Sequence, residues 1–241
     1  MRSADFNIQS VANVVHSWMS YIYEVSDTEH LAAESSLAYP IVGYFERSDR
    51  INICMEDDLP SFHGKRVDFK WMVDGRNYYM EMKYVRPDSI NIQGIYNDIF
   101  RLALIDEENS VKYFLLCGEV DALESKIFQQ QSEPFTKTED GKIEVRTCNN
   151  KKVQSKFAEI LSFNIGKKSS SKTAIKKHTF YKTEERFQSF VENKKYFTEE
   201  QRKNAPTSIR ICTELVQPYS KGLKSAVAIW EIKTLYVKYK H

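Results

Sequence analysis

The sequence predicts an α/β protein: a mixed central β-sheet flanked by helices, followed by a C-terminal α+β extension. Three observations carry this expectation. Helical stripes and β-rich runs interleave in the first half of the chain. Asp74-Gly75 stands between two runs rich in β-branched and aromatic residues, a strong short-range signal for a hairpin. A helical stripe and a continuous apolar run then follow, the pattern of strands enclosed within a sheet.

Taken in order, Ile8–Val25 carries apolar residues at 8, 11, 14, 15, 18, 19 and 22, one face of a helix. Ser26-Asp27-Thr28-Glu29 has the form of a capping box for a second helix through Leu31–Leu37. Pro40 is expected to end or kink that helix near Tyr39, because proline has no backbone N–H, with Ile41–Phe45 resuming it. Arg50–Met55 alternates weakly, as a short strand. Val67–Val73 and Arg76–Val85 form the hairpin arms. Asn91–Ile105 repeats Ile92, Ile95, Tyr96, Ile99, Leu102 and Ile105 at helical spacing, and Val111–Cys117 reads as a buried strand. Asp121–Gln131 suits a helix. Beyond Ser132, Lys142–Cys148, Ser208–Val216 and Ala226–Tyr239 read as strands, Val153–Phe163 and Glu184–Phe197 as helices, and Lys167–Lys172 as a polar loop. The organisation expected is a core over 1–131 and an α+β region over 132–241 that serves recognition or dimerisation, or extends the sheet.

With 241 residues, 41% hydrophobic and 28% charged, the chain has a globular balance and room for a real core. No apolar run approaches the roughly 20 residues that cross a membrane, and Met1–Asn7 lacks the apolar stretch of a signal peptide. The cysteines at 54, 117, 148 and 212 are too far apart for a zinc knuckle or a Cys-x-x-Cys pair. Reduced, mostly buried thiols in a cytoplasmic protein are the expectation.

Net charge is only +2, but Lys151–Lys182 holds nine lysines against one acid, Glu159, so that stretch carries +8 and the remainder −6. Such a block suits a polyanion, with Lys151, Lys152, Lys167, Lys168, Lys172, Lys176 and Lys177 as candidate phosphate contacts. A solvated, lysine-rich loop is the plainer alternative.

The chemistry concentrates in the hairpin. If Asp74 and Gly75 make a two-residue turn, Val73 pairs with Arg76 and, in step, Asp68 falls opposite Glu81. Directly opposed carboxylates about 5 Å apart destabilise a sheet unless something holds them together, and a cation does so. Lys83 shares the face of Glu81, because residues two apart on a strand point the same way. The acid-x-Lys pattern alone is cheap and occurs six times. Glu231-Ile232-Lys233 is the best rival, but no hairpin aspartate precedes it. Asp68, Glu81 and a third carboxylate against Lys83 leave −2, which one divalent ion neutralises. Oxygen ligands without His or Cys suit a hard ion such as magnesium. The backbone carbonyl of Met82 is a further candidate ligand.

Asp68, a 12-residue gap, then Glu81-Met82-Lys83, with helices before and after, resembles the PD-(D/E)XK nuclease superfamily over roughly residues 26–131. The resemblance implies a restriction endonuclease-like core and phosphodiester hydrolysis that leaves a 5′-phosphate. It implies that Asp68 and Glu81 ligate Mg2+, with Mn2+ able to substitute, and that Lys83 orients or activates the attacking water. An upstream helical glutamate often completes such a site, and Glu34 is the best match. Val67, where many members have proline, departs from the pattern. The stretch Asn97–Leu102 is similar to the helix that follows the motif in many members, although Asp98 and Arg101 read on their own as an ion pair on a helix surface. DNA is the expected substrate and a homodimer the expected assembly, by analogy. An RNA nuclease, or a nuclease fold retained as a nucleic-acid-binding or assembly module without catalysis, remain the alternatives.

Overall fold

The computed structural model describes residues 6–25, 34–47, 51–59, 65–86, 91–119, 136–137, 143–146, 152–155, 164–165, 186–215, 220–221 and 224–239. Its helices are α1 (Ile8–Val25), α2 (Ala38–Glu46), α3 (Ile92–Ala103), α4 (described over 186–192) and α5 (Glu199–Lys203). Its strands are β1 (Ile53–Asp58), β2 (Arg66–Val73), β3 (Arg76–Val85), β4 (Val111–Glu119), β5 (Thr136–Lys137), β6 (Ile143–Arg146), β7 (Lys152–Ser155), β8 (Asn164–Ile165), β9 (Pro206–Leu215), β10 (Ser220–Lys221) and β11 (Ser225–Tyr239). The main sheet runs β1-β2-β3-β4-β11-β9-β8, with the two-residue β10 on β11, so six long strands carry it. It is mixed: β3 and β4 are parallel and the other pairs antiparallel. Parallel neighbours need a crossover connection, and α3 lies within it.

Period-2 alternation sends successive residues to opposite faces. On β3, Tyr79 and Val85 join one core with α3 and α4, while Met80, Met82 and Tyr84 join another with α1 and α2. On β11, Ala226, Ala228, Trp230 and Ile232 face the first core, and Val227 and Ile229 face the second. The sheet is therefore apolar on both sides and helices cover both. Each fully buried Leu, Ile or Phe contributes roughly 1.5–3 kcal/mol to holding the layers together.

The expected helix over Ile8–Val25 forms with those bounds and buries Val11, Val15, Met19 and Ile22. The capping box and the stretch to residue 33 lie outside the described residues. Glu34–Leu37 is a 3-10 turn that runs directly into α2, and Pro40 sits in the first turn of α2 instead of ending a helix. First-turn N–H groups have no intrahelical acceptor, so proline loses nothing there. The short strand expected at Arg50–Met55 is displaced to Ile53–Asp58. Asn91 caps α3, its side chain accepting from the Gly94 amide at 3.0 Å.

The proposed helix Asp121–Gln131 lies outside the described residues. That expected at Val153–Phe163 conflicts with β7, a strand over Lys152–Ser155 that pairs with β6; the β-branched Val153 opposite Val145 suits a ladder. Strands from after Ser132 enter the main sheet: β11 pairs with β4 on one side and β9 on the other. No helix among the described residues is long and apolar enough to cross a membrane. Of the cysteines expected to be mostly buried, Cys117 is buried and Cys54 is exposed.

Candidate active site

Asp74 and Gly75 take φ of 50° and 76°, the left-handed pair of a two-residue hairpin turn. The expected register follows, from Val73–Arg76 through Phe69–Met80. The ladder stops there, one pair short of Asp68 and Glu81. On the other side of β2, pairing with β1 is interrupted where Glu56, opposite Asp68, takes a left-handed φ of 52°. Asp68 thus sits where its strand is released from both neighbours, and its side chain takes over from the backbone: Oδ2 accepts from the Met82 amide at 2.7 Å. Glu34, in the turn before α2, treats the next freed amide alike, with Oε2 accepting from Tyr84 N at 3.3 Å.

Glu81 and Lys83 point to the face of the sheet that α3 covers. The Asp68 and Glu81 carboxyls lie close enough for the charge of one to act on the other. Glu81 is only 1% exposed. Arg101 of α3 approaches it, Nη2 lying 2.9 Å from Glu81 Oε1 and 2.7 Å from Asp98 Oδ1. Lys83 Nζ lies 3.0 Å from Asp98 Oδ2 and 3.7 Å from Glu34 Oε1. Six charged groups from the turn before α2, from β2, from β3 and from α3 therefore make one chain of contacts: Glu34, Lys83, Asp98, Arg101, Glu81, Asp68.

This corrects the reading of Asp98 and Arg101 as a surface pair. They are an i, i+3 pair, but Asp98 is 4% exposed and α3 packs them against the motif. The sequence held a signal. Asp98 falls inside the apolar stripe of Ile95, Ile99 and Leu102, where a charge has no place unless it is paired.

Electrostatics follow from burial. Desolvation pushes the Asp68 carboxyl up to about 6, against the Met82 amide and with help from the Asp98 and Glu34 carboxylates. Burial, and then the neighbouring Asp68 and Asp98 charges, hold Glu81 well above the ordinary carboxylate range despite Arg101. Burial alone lowers the pKa of a lysine, but Asp98 and Glu34 more than offset it at Lys83, which stays cationic far above neutral pH. Lys83 can orient a group and stabilise negative charge; it has no free lone pair with which to take a proton.

A cleft of about 460 Å³ reaches Asp68, Glu34 and Glu56, and is also lined by Phe69 and Met82. The Met82 N–H faces Asp68, and in an extended strand its carbonyl faces the same edge. Among the described residues no three His, Cys, Asp or Glu side chains are grouped to hold a metal ion. Asp68 and Glu81 meet, but Glu34 is turned to Lys83 and Tyr84. Of the candidate phosphate contacts, Lys152 begins β7, with nothing described of its side chain. Lys151, Lys167, Lys168, Lys172, Lys176 and Lys177 lie outside the described residues. The rival Glu231-Ile232-Lys233 lies on β11, where Glu231 and Lys233 pair with each other at 3.6 Å and no aspartate is in register; their partners are Tyr113, Glu214 and Cys212. No protein-family model, curated protein or solved structure matches the chain.

Proposed function

We propose that the chain is a metal-dependent endonuclease of the PD-(D/E)XK type that hydrolyses DNA phosphodiester bonds. One observation carries the reading: carboxyls from two neighbouring strands, Asp68 and Glu81, meet on one side of the sheet with the Lys83 strand position alongside.

The donors suit Mg2+, with Mn2+ as a substitute, since they are carboxylate oxygens with no His or Cys among them. With their protons displaced, the four carboxylates against Lys83 and Arg101 leave −2, which one divalent cation neutralises. Asp68, Glu81 and the Met82 carbonyl would hold it, with Glu34 joining if it left Lys83 and Tyr84. A bound divalent cation supplies charge neutralisation and makes water a stronger acid. Arg101 fixes the Glu81 carboxyl, and Asp98 and Glu34 fix the Lys83 ammonium. Lys83, permanently charged, orients the attacking water and stabilises the charge that develops on the phosphate oxygens. In-line attack leaves a 5′-phosphate.

Plasmid incubated with Mg2+ is expected to be cleaved by the intact protein, and spared with EDTA or after Asp68→Ala. RNA and single strands assayed beside duplex DNA decide the substrate. A second reading, a binding module without catalysis, is favoured by one observation: Arg101 already pairs with Glu81 at 2.9 Å, so the site is partly neutralised without an ion. Nucleic-acid binding with no cleavage under any divalent ion would establish that reading.

A further inference from the structure

Three cations surround one ring beside the site. Lys65 Nζ lies 5.8 Å, the Arg101 guanidinium 5.9 Å and Lys195 Nζ 5.8 Å from the centroid of Tyr196. They come from the residue before β2, from α3 and from the turn after α4. The ring is held firmly: it packs on Phe190 at 5.0 Å, its hydroxyl accepts from Asn97 at 3.4 Å, and its amide donates to Asn193 at 3.0 Å. Arg101 is ion-paired with Glu81 and Asp98. Among the described residues, neither Lys65 nor Lys195 has a carboxylate within salt-bridge distance. Contact with a ring face contributes only about 0.5–1 kcal/mol at exposed sites and leaves the two ammonium charges unneutralised. An arriving polyanion neutralises them.

We propose that Lys65 and Lys195, set about the Tyr196 ring, form a docking surface for the sugar-phosphate backbone of a nucleic acid leading to the Asp68–Glu81 pair. Arg101 links the two places, touching Tyr196 and Glu81 at once. The choice of nucleic acid over other polyanions rests on the nuclease reading, and the test separates the two claims.

Binding of a labelled mixed-sequence DNA duplex is measured by fluorescence anisotropy in EDTA over a range of KCl, for the intact protein and the double variant Lys65→Glu/Lys195→Glu. Losing two phosphate contacts makes the slope of log K against log salt shallower by about 2 and lowers affinity at least about tenfold near 0.1 M salt. Thermal melting checks the fold, and Lys65→Gln/Lys195→Gln, which adds no repulsion, gives a smaller loss in the same direction. Unchanged affinity and slope in both double variants overturn the surface even if the protein cleaves DNA. No binding of duplex by the intact protein, or capture only by anionic phospholipid vesicles, overturns it as well. Binding that needs these lysines, by a protein that cleaves nothing with Mg2+, supports the surface and removes the nuclease reading.

Discussion

Arg101 Nη2 lies 2.9 Å from Glu81 Oε1, so the most buried carboxylate of the site is tied to the crossover helix that follows it. Arg101 Nη1 also donates to the Arg66 carbonyl at 3.0 Å, at the start of the strand that bears Asp68. Arg101→Met is expected to destabilise the protein by about 3 kcal/mol, because a buried charge loses its partner. Cleavage should also move to higher pH, since the cation that opposes the upward push on Glu81 is gone. Arg101→Lys keeps the charge without the planar fork and should fall between. Denaturation in EDTA and a pH–rate profile check both effects; an unmoved profile rules out the electrostatic role.

Asp68 carries a stability penalty with a definite sign. Its carboxyl is held at about 6 in the folded chain, against roughly 3.9 unfolded. The folded state therefore binds the proton more tightly, and this contribution to stability, complete below about pH 4, is lost as pH rises through about 6. Asp68→Asn keeps an oxygen for the Met82 amide and removes the charge. It should be more stable than the intact protein in EDTA at pH 7.5, on the order of 2 kcal/mol, with the gap closing toward pH 4, while cleavage is abolished. Calorimetric melting at the two pH values measures this.

The same proton competes with a divalent ion. Ca2+ or Mg2+ should raise the melting temperature more at pH 7.5 than at pH 5, with protons released on binding near pH 6. In Asp68→Asn the shift should shrink at both. Titration calorimetry in buffers of different ionisation enthalpy counts the protons; equal stabilisation at the two pH values contradicts the reading.

Lys83→Gln should lower the cleavage rate by about 10²–10³ with duplex binding nearly unchanged, the loss expected when one charged stabiliser of the transition state goes. Because Asp98 and Glu34 keep Lys83 charged, the intact protein should show no lysine ionisation in its rate between pH 7 and 9. A basic limb there that vanishes in Lys83→Gln would make Lys83 a proton acceptor and defeat the role given to it.

Gly75 has φ of 76°, with open space where a Cβ would stand, so strain alone opposes a side chain there. Gly75→Ala should cost about 1–2 kcal/mol by denaturation and leave cleavage intact, because the turn lies at the far end of the hairpin from Asp68.

The hairpin was legible because its turn fixes its register: Asp-Gly demands two left-handed residues, and each pair up to Phe69–Met80 follows from that. The same arithmetic does not reveal that β2 peels away at Asp68, since the break lies in Glu56 on the neighbouring strand, a residue with no turn-forming chemistry. Asp98 was legible as a helix residue and misjudged as exposed, because a stripe read for its apolar members hides the polar one among them. The roles of β9 and β11 were legible as strands only; that β11 joins β4 depends on contacts across more than a hundred residues, as in Thr234 Oγ1 donating to the Ala103 carbonyl.

The amides of Met82 and Tyr84, exposed where β2 leaves β3, are each taken by a carboxylate. Open strand edges of this kind recruit foreign strands and seed aggregation. Asp68 and Glu34 therefore also close the fork to a foreign strand, and their replacement by alanine should be watched for loss of solubility before any loss of activity is assigned to chemistry.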